Sequence, residues 1–447
     1  MNLPVTSISA KIKAFFSIKS VSAAILIFAF NTHADAVTAE DVDFFESGGN
    51  YYCYPWTFTA PPSQTPAPEG YQPFHLEHYG RHGSRWHIGN YNYEKPYELL
   101  KKAKDDGKLT PLGEEVYVMV SDTWNKFREG RDGELSDRGA IQHKGIGRRM
   151  VMNYPEIFDS TTNINARSTI VIRSILSMFN GLSGIQSLVP DVNVNVDASQ
   201  ADMWYMNYYD SIAQKQKDKM YQTLYKDFSE KHANKGEYLG KLFNDEKYAQ
   251  EEIGEELFNP LFSCLVNAQS HEGQQWLVDK VFTPQEARER WKIRNANWFV
   301  QSGNSALTGN IMPFTQANLL YNIIESADSA MISDSKSVNL RYGHDTIVFP
   351  LATLLELNDL GQEINDLELL DELGWHDYLC IPMGANIQIV FYRVPGDDNI
   401  DNVLVKVLLN EQEASLPIET ETAPYYKWTD FRQYYLDKLK TAPQSSL

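Results

Sequence analysis

The stretch HLEHYGRHGSRWH, residues 75–87, carries the strongest signal in the chain. It overlaps a strand-like pattern at 71–78 and places His82 between Arg81 and Arg85. An imidazole flanked by guanidinium groups holds a proton poorly, because neighbouring positive charge disfavours its charged form. Such a group suits an uncharged nucleophile facing a dianion, and arginine forks match phosphate oxygens in geometry and charge. The stretch predicts a phosphoryl-binding site, although alone it is also compatible with a solvated basic turn at the end of a strand.

The N-terminus has the pattern of an export signal. Three lysines within the first 19 residues precede an apolar run at 21–30 and an Ala-Asp-Ala sequence that ends at Ala36. This order matches a basic leader, an apolar core and a small-residue cleavage site. The run is shorter than the about 20 apolar residues that span a bilayer. We expect residues 1–36 to be a signal peptide cleaved after Ala36, giving a periplasmic or secreted protein without stable membrane insertion. The alternative is an N-terminal membrane anchor.

The charge balance limits the classes of partner. The formal net charge of the chain is −19, and loss of residues 1–36 would remove three lysines but only one aspartate. This acidity argues against a nucleic-acid partner, which would require a basic face. Any attraction of a polyanionic substrate must therefore come from charge confined to a pocket.

The cysteines and histidines predict neither a disulfide scaffold nor a metal centre. Cys53, Cys264 and Cys380 allow at most one internal disulfide, with one thiol left over. Their spacing matches no metal site, and the histidines between residues 75 and 87 are spread along a strand end rather than paired for a shared ion. We therefore expect no metal and no cofactor.

The order of elements predicts an α/β protein with a helical insertion. Strand and helix patterns alternate up to about residue 198, and strand patterns resume near residue 337. Between them, residues 199–332 are rich in charged and amide side chains and lack β-branched runs, which predicts an all-α cap inserted into the core. We expect the core to comprise 37–198 and 333–447. The predicted strands are 71–78, 164–171, 192–196, 337–342, 387–394 and 403–409, and the predicted helices include 97–104, 114–127, 136–152, 173–182 and a last one carrying Phe431, Tyr435 and Leu439.

Three further segments fit the first motif. Arg173 stands where a strand turns into a helix, and a helix N-terminus with an arginine can complete an anion cradle. His344 and Asp345 follow another strand-like segment, although such a pair also occurs as a plain helix cap. The segment around Ser136 is interpreted as a structural helix start rather than a reacting group.

Together these segments resemble the histidine acid phosphatases. Residues 81–85 (RHGSR) resemble the RHGxRxP signature of that family, His344-Asp345 resembles its distal HD pair, and Arg173 matches the arginine of its S-T-x-V-x-R segment. The LS-x-x-G sequence around Ser136 resembles its LT-x-x-G helix start. The resemblance implies a histidine phosphatase-like core, with a mainly parallel sheet flanked by helices and an inserted helical cap.

Within that family, the chain is most similar to bacterial proteins that resemble multiple inositol polyphosphate phosphatases. Residues 49–52, 206–210 and 425–431 look like that branch. Two departures stand out. The branch typically has His-Ala-Glu where this chain has His344, Asp345 and a threonine. This difference affects how far the proton donor reaches towards the substrate. His87 replaces the usual proline of the signature, and this replacement is expected to affect the shape of the pocket.

The resemblance also implies roles. His82 is the nucleophile that forms a phosphohistidine, and Asp345 is the proton donor. Because Asp345 must be protonated while His82 is not, we expect a mildly acidic, bell-shaped pH profile. The side chains that surround the phosphate oxygens are Arg81, Arg85, Arg173 and His344.

The predicted substrate is a small phosphorylated molecule, an inositol polyphosphate such as phytate. Basic residues near the catalytic segments add to this expectation, although for the lysines we favour a solvated helix face. The rival functions are a broad-specificity acid phosphatase and a non-catalytic phosphate-binding protein on the same fold. A phosphoglycerate mutase relative fits poorly with an export signal and a large helical insertion. The basic residues are Lys95, Lys101, Lys102, Arg148 and Arg149.

Overall fold

A computed structural model describes residues 43–233, 236–332 and 336–443. The predicted signal peptide at 1–36 lies outside these residues. Among the helices described, none has the length and apolar character needed to cross a membrane. Cys53, Cys264 and Cys380 are all free thiols.

The described residues form one mixed sheet with the strand order β3-β2-β4-β1-β5-β6-β7, and β8 pairs with β6. The half containing β3, β2, β4 and β1 is parallel, whereas β5, β6, β7 and β8 pair antiparallel. The α/β fold class is therefore confirmed, in a sheet whose second half is antiparallel. The strands are β1 (Gln72–Arg81), β2 (Asn163–Ser168), β3 (Asn193–Asp197), β4 (Ser337–Gly343), β5 (Asn386–Arg393), β6 (Leu404–Leu409), β7 (Gln412–Glu413) and β8 (Tyr426–Lys427).

Helices flank this sheet and fill the segment between β3 and β4. Their N-termini include side-chain caps at positions where the sequence predicts a helix start, Ser136 among them. The helices are α1 (Tyr91–Asp105), α2 (Pro111–Phe127), α3 (Asp137–Asn153), α4 (Ile172–Gln186), α5 (Met203–Met206), α6 (Ser211–Met220), α7 (Lys226–Lys231), α8 (Leu239–Leu242), α9 (Glu246–Tyr248), α10 (Phe258–Val266), α11 (Val278–Val281), α12 (Pro284–Ser302), α13 (Ala317–Ile332), α14 (Asp345–Leu354), α15 (Asp377–Cys380) and α16 (Trp428–Lys440).

The central strand β1 carries the site because of its position in the sheet. All but the first of its residues are buried, since it lies between β4 and β5 with helices above and below. Its last residue, Arg81, is in register with Gly343 at the end of β4, and Ser168 at the end of β2 is in register with Tyr342. Three sequence motifs therefore reach the same edge, where open α/β sheets bind ligands.

The described part of 199–332 contains no strand, and its helices pack in two directions. One hydrophobic cluster joins α1 and α2 to α10 and α11 through residues such as Tyr93, Val116 and Leu261. A second cluster joins α12 and α13 to the helix that follows β4, with Phe299 and Leu320 beside Ile347. The predicted cap thus packs both against helices that precede it and against the sheet, and its division from the core at 199 and 332 stays a prediction.

Several element boundaries differ from the sequence-based prediction, the largest difference being the start of α1 at Tyr91 rather than at residue 97. Strand β2 ends at Ser168 rather than near residue 171, because Val171 is already the extended residue before α4. Within the predicted helical insertion, a π-helical turn at Tyr221–Tyr225 lies between α6 and α7. Because β2 ends early, Arg173 lies in the first turn of α4.

Candidate active site

His82 lies directly after β1 in a fixed backbone position. Its N–H donates to the carbonyl of Gly343 at 2.9 Å, and its own carbonyl accepts from the N–H of Gly384 at 3.0 Å. The ring nitrogen Nδ1 lies 3.0 Å from the carbonyl oxygen of Gly83, which can only accept. Nδ1 therefore carries the proton of the neutral ring, and the lone pair is on Nε2. This tautomer presents Nε2 as a nucleophile.

The charge state of His82 follows from its surroundings. The side chain is 1% exposed. Burial first, and then the positive charges of Arg81, Arg85 and Arg173, hold the pKa of His82 well below its usual value. The ring is therefore neutral across the mildly acidic range, as the sequence predicts.

The glycine of the RHG triplet is required by a close backbone approach. A Cβ added at Gly83 would lie 2.5 Å from the carbonyl oxygen of Gly139 in α3. Ser136 caps α3 by accepting from the N–H of Gly139 at 3.2 Å, and its hydroxyl donates to the carbonyl of Ser84 at 3.0 Å. The LS-x-x-G segment is confirmed as a helix start, and its role is to support the loop that holds His82.

Arg81 is fully buried and is held at both ends of its guanidinium group. Its Nη1 donates to the carbonyls of Asn50 and Ile381 at 2.5 and 2.6 Å. Its Nη2 lies 2.7 Å from Oδ2 of Asp345 in an ion pair. Because these contacts fix the guanidinium plane, Arg81 is positioned before any anion arrives.

Arg85 and Arg173 add further positive charge near His82. Arg85 is buried, with its guanidinium carbon 5.2 Å from the centre of the Tyr51 ring. Arg173 is half-buried in the first turn of α4, and its Nε has no hydrogen-bond partner among the described residues. Burial, and next the charge of Arg85, lower the pKa of Arg173. Two like charges held this close favour binding of an anion between them.

His344 follows β4 as the N-cap residue of α14, and Asp345 is the first residue of that helix. The rings of His344 and His82 are 5.8 Å apart, and Nε2 of His344 lies 3.1 Å from Oγ1 of Thr169. Burial lowers the pKa of His344 to about 4, and the positive charges of the nearby arginines add to this although the charge of Asp345 opposes it. His344 is therefore neutral near pH 7 and offers a ring hydrogen-bond donor rather than a charge.

Asp345 is held as a carboxylate by donors on both oxygens. Besides the Arg81 ion pair, its Oδ2 accepts from Nδ2 of Asn50 at 2.9 Å, and its Oδ1 accepts from the N–H of Thr346 at 2.9 Å. Burial alone would raise the pKa of Asp345, but the charges of Arg81 and Arg85 and the Asn50 hydrogen bond outweigh it and lower the pKa to about 2. A carboxyl in this state must lose its Arg81 contact before it can act as an acid.

The structure brings all six sequence-predicted site residues to this one edge of the sheet. It also adds residues that the motifs miss, above all Asn50 and Arg294. Asn50 lies in a short 3₁₀-helix at Glu46–Tyr51, within the segment quoted only for its family resemblance. Arg294 comes from α12, and its guanidinium carbon is 4.9 Å from the centre of the Tyr51 ring. No motif in the sequence marks Arg294.

His87, which replaces the proline of the family signature, ties the loop to the helical segment. Its Nε2 lies 2.9 Å from the carbonyl of Ser263 in α10, and its ring is 4.6 Å from that of Tyr51. Burial lowers the pKa of His87 to about 3. Because its ring is neutral and its Nε2 is used, His87 supports the wall of the pocket.

The basic residues that the sequence places near the site are engaged elsewhere. The three lysines pair with carboxylates: Lys95 with Glu256, Lys101 with Asp105, and Lys102 with Glu252. Arg148 donates to the hydroxyl of Ser187, and Arg149 pairs with Glu411. For the lysines, the favoured interpretation of a solvated helix face is the one that fits. Across residues 43–233, 236–332 and 336–443, no group of three or more His, Cys, Asp or Glu side chains is arranged to hold a metal ion.

A neutral histidine with a free Nε2, three surrounding arginines and an adjacent carboxyl define an oxyanion site built for phosphoryl transfer. A sequence profile of the histidine phosphatase superfamily (branch 2) matches residues 80–410. The chain belongs to this family and is a histidine-type phosphatase. No curated protein matches it by sequence.

Solved structures show the same fold. A multiple inositol polyphosphate phosphatase of Bifidobacterium longum, in complex with inositol hexasulfate, superposes with a TM-score of 0.69 at 18% identity, over 87% of this chain and 97% of that chain. Its complex with phosphate gives 0.65 at 19% identity, over 89% and 100%. A phytase from D. castellii gives 0.64 at 15% identity, over 89% and 85%.

Proposed function

We propose that this protein is an exported phosphomonoester hydrolase that works through a phosphohistidine at His82 and acts on inositol polyphosphates such as phytate. The observation that carries the chemistry is the hydrogen bond from Nδ1 of His82 to the Gly83 carbonyl, which leaves Nε2 unprotonated beside Arg81 and Arg85. Export rests on the leader pattern at 1–36 alone, and cell fractionation with N-terminal sequencing of the product tests it.

The first step transfers the phosphoryl group to the enzyme. Nε2 of His82 attacks phosphorus while the bond between phosphorus and the ester oxygen breaks, in line with the attack. Asp345 gives its proton to the departing oxygen, so the alcohol leaves neutral and Asp345 becomes a carboxylate. Arg81, Arg85, Arg173 and His344 donate to the non-bridging oxygens throughout.

The second step returns the enzyme to its starting state. A water molecule attacks the phosphohistidine, and the Asp345 carboxylate takes one of its protons as the bond between phosphorus and Nε2 breaks. Inorganic phosphate leaves, His82 is again neutral, and Asp345 is again protonated. Every group in this cycle belongs to the chain, the substrate or water.

The substrate class is supported by charge placed at the site. Arg294 and Arg85 both lie against the Tyr51 ring, with guanidinium carbons 4.9 and 5.2 Å from its centre, so a fourth arginine adds positive charge to the three near His82. In an acidic chain, such a local patch attracts a polyanion more than a monophosphate. The B. longum relative, which binds inositol hexasulfate, is similar in fold.

A broad-specificity acid phosphatase is the second candidate, because this chain has the His344-Asp345 pair in place of His-Ala-Glu. A non-catalytic phosphate-binding protein fits less well, since such a protein needs neither a free Nε2 at His82 nor a carboxyl beside it.

The test compares kcat/KM for phytate and for an aryl phosphate. We expect a clear preference for phytate, and comparable values for the two would favour the broad-specificity enzyme. His82→Ala is expected to abolish both activities, and Asp345→Asn to slow phytate hydrolysis more strongly than aryl phosphate hydrolysis. Full activity in His82→Ala would contradict the mechanism.

A further inference from the structure

Asn50 uses every polar group it has at the edge of the candidate site. It is 4% exposed. Its carbonyl accepts from Nη1 of Arg81 at 2.5 Å, and its side-chain Nδ2 donates to Oδ2 of Asp345 at 2.9 Å. Its N–H donates to Oδ2 of Asp377 at 3.1 Å, and its Oδ1 accepts from Nε of Arg294 at 2.8 Å. One residue thus contacts both the phosphate-binding arginine and the candidate proton donor.

Arg294 sets which end of the Asn50 amide faces Asp345. Both Nε and Nη2 of Arg294 donate to Oδ1 of Asn50. Because a guanidinium group only donates, a rotated amide would turn its NH₂ group towards Arg294 and its oxygen towards the Asp345 carboxylate. Both contacts would then be repulsive, so the amide is locked with Nδ2 on Asp345.

The backbone of Asn50 is fixed just as firmly. The carboxylate of Asp377 that accepts from its N–H also accepts from Nε1 of Trp291 in α12, at 3.0 Å. The preceding residue, Gly49, has a φ of +55°, and a Cβ there would collide with the Asp377 carboxylate. Helix α12 therefore holds the side chain of Asn50 directly through Arg294. It holds the backbone of Asn50 indirectly, because Trp291 binds the Asp377 carboxylate that accepts from the Asn50 N–H.

We propose that Asn50 is a positioning residue that aims the Asp345 carboxyl at the leaving-group oxygen, and that Arg294 acts through Asn50. This inference rests on the proposed function, because it assigns a role within the same proton transfer. Oδ2 of Asp345 is the oxygen that faces Arg81 and hence the phosphate position, whereas Oδ1 is held by the Thr346 N–H. When a phosphate takes over the Arg81 guanidinium, Asn50 is the side chain that still holds Oδ2 in place.

The leaving group separates this role from a merely structural one. A nitrophenolate leaves without a proton, whereas an alkoxide such as that of glycerol phosphate needs one. Because well-placed general acids contribute about 10²–10⁴-fold, we expect Asn50→Ala to lower kcat/KM for glycerol phosphate by about tenfold or more, and for nitrophenyl phosphate by much less. Arg294→Gln, which leaves Asn50 itself intact, should give the same selectivity with a smaller loss.

Two comparisons complete the test. Arg288→Gln is the matched control, because Arg288 lies on the same helix but pairs with Asp371, and both rates should be unchanged. When Asp345 is already replaced by asparagine, Asn50→Ala should not lower kcat/KM for glycerol phosphate any further relative to that for nitrophenyl phosphate. Equal losses on both substrates, in Asn50→Ala and Arg294→Gln alike, would overturn the positioning role. Activity retained in His82→Ala would instead overturn the proposed function on which it rests.

Discussion

Nη2 of Arg81 lies 2.7 Å from Oδ2 of Asp345, so the candidate phosphate ligand and the candidate proton donor neutralise each other. The same pairing that orients Arg81 keeps the pKa of Asp345 at about 2. A dianion that binds Arg81 removes this partner and adds negative charge beside the carboxyl. Both changes raise the pKa of Asp345, so binding of the phosphate group itself supplies the acid with its proton.

Oxyanion binding should therefore take up a proton. Sulfate is the suitable probe because it stays a dianion across the mildly acidic range. At pH 5, calorimetric titration with sulfate in buffers of different ionisation enthalpy should show close to one proton taken up for each sulfate bound. Sulfate affinity should fall as the pH rises, because the proton becomes harder to obtain.

Asp345→Asn is the matched control for this experiment, since it keeps the shape of the side chain and removes its proton site. We expect sulfate to bind this variant without proton uptake and with little dependence on pH. If the wild-type protein bound sulfate without taking up a proton, the exchange between Arg81 and Asp345 would be wrong.

Arg173 should contribute to substrate binding and almost nothing to stability. Its Nε has no partner among the described residues, and Arg85 repels it. A hydrogen bond to a charged group contributes about 1.5–3 kcal/mol, so Arg173→Gln should lower kcat/KM by about 10- to 150-fold. The melting temperature of the Arg173→Gln variant should stay the same or rise. Arg148→Gln, at an exposed position on α3, serves as the control and should leave kcat/KM unchanged. Wild-type kcat/KM in Arg173→Gln would contradict the assignment of Arg173 to the site.

Buried histidines should limit the stability of the protein in acid. His78 and His143 pack against Tyr342, and burial lowers the pKa of each to about 3. The unfolded chain, where a histidine pKa is about 6.5, therefore binds more protons than the folded chain between about pH 6.5 and 3. The free energy of unfolding should fall as the pH decreases through this window.

Urea unfolding of His143→Gln from pH 7 to pH 4 checks this expectation. Removing one such histidine should reduce the slope of the unfolding free energy against pH by about 1.4 kcal/mol per pH unit in the lower part of the window. Lys144→Gln, at the exposed neighbouring position, should leave the slope unchanged. A slope in His143→Gln equal to that of the wild type would mean that His143 is not neutral in the folded protein.

The parts of the site that the sequence predicts are those carried by local motifs at strand ends. Arg81 ends β1 and is followed by His82 and Arg85, His344 and Asp345 follow β4, and Arg173 follows β2. Because adjacent parallel strands bring their carboxyl ends to one edge, three distant motifs could be expected to meet. The fold class followed from the same alternation of strands and helices.

Other parts depend on long-range packing that leaves no local pattern. Asn50 and Arg294 are 244 positions apart, and neither shows its role until the N-terminal 3₁₀-helix packs on α12. The antiparallel pairing of β5 and β6 is invisible in strand composition, since both are buried on both faces. For the surface lysines the interpretation favoured from sequence, a solvated helix face, fits, and the fold supplies the carboxylates that pair with Lys95 and Lys102.

The most direct test of the central claim is capture of the phosphoenzyme. Rapid mixing with a nitrophenyl phosphate, an alkaline quench that preserves phosphohistidine, and peptide mass spectrometry would locate the phosphoryl group. We predict one phosphoryl group on His82 during turnover and none in His82→Ala. The fraction of enzyme trapped in this form should be larger at short times after mixing than at long times, when the substrate is used up. A turning-over enzyme that carries no phosphoryl group, or carries it on another residue, would contradict nucleophilic attack by His82.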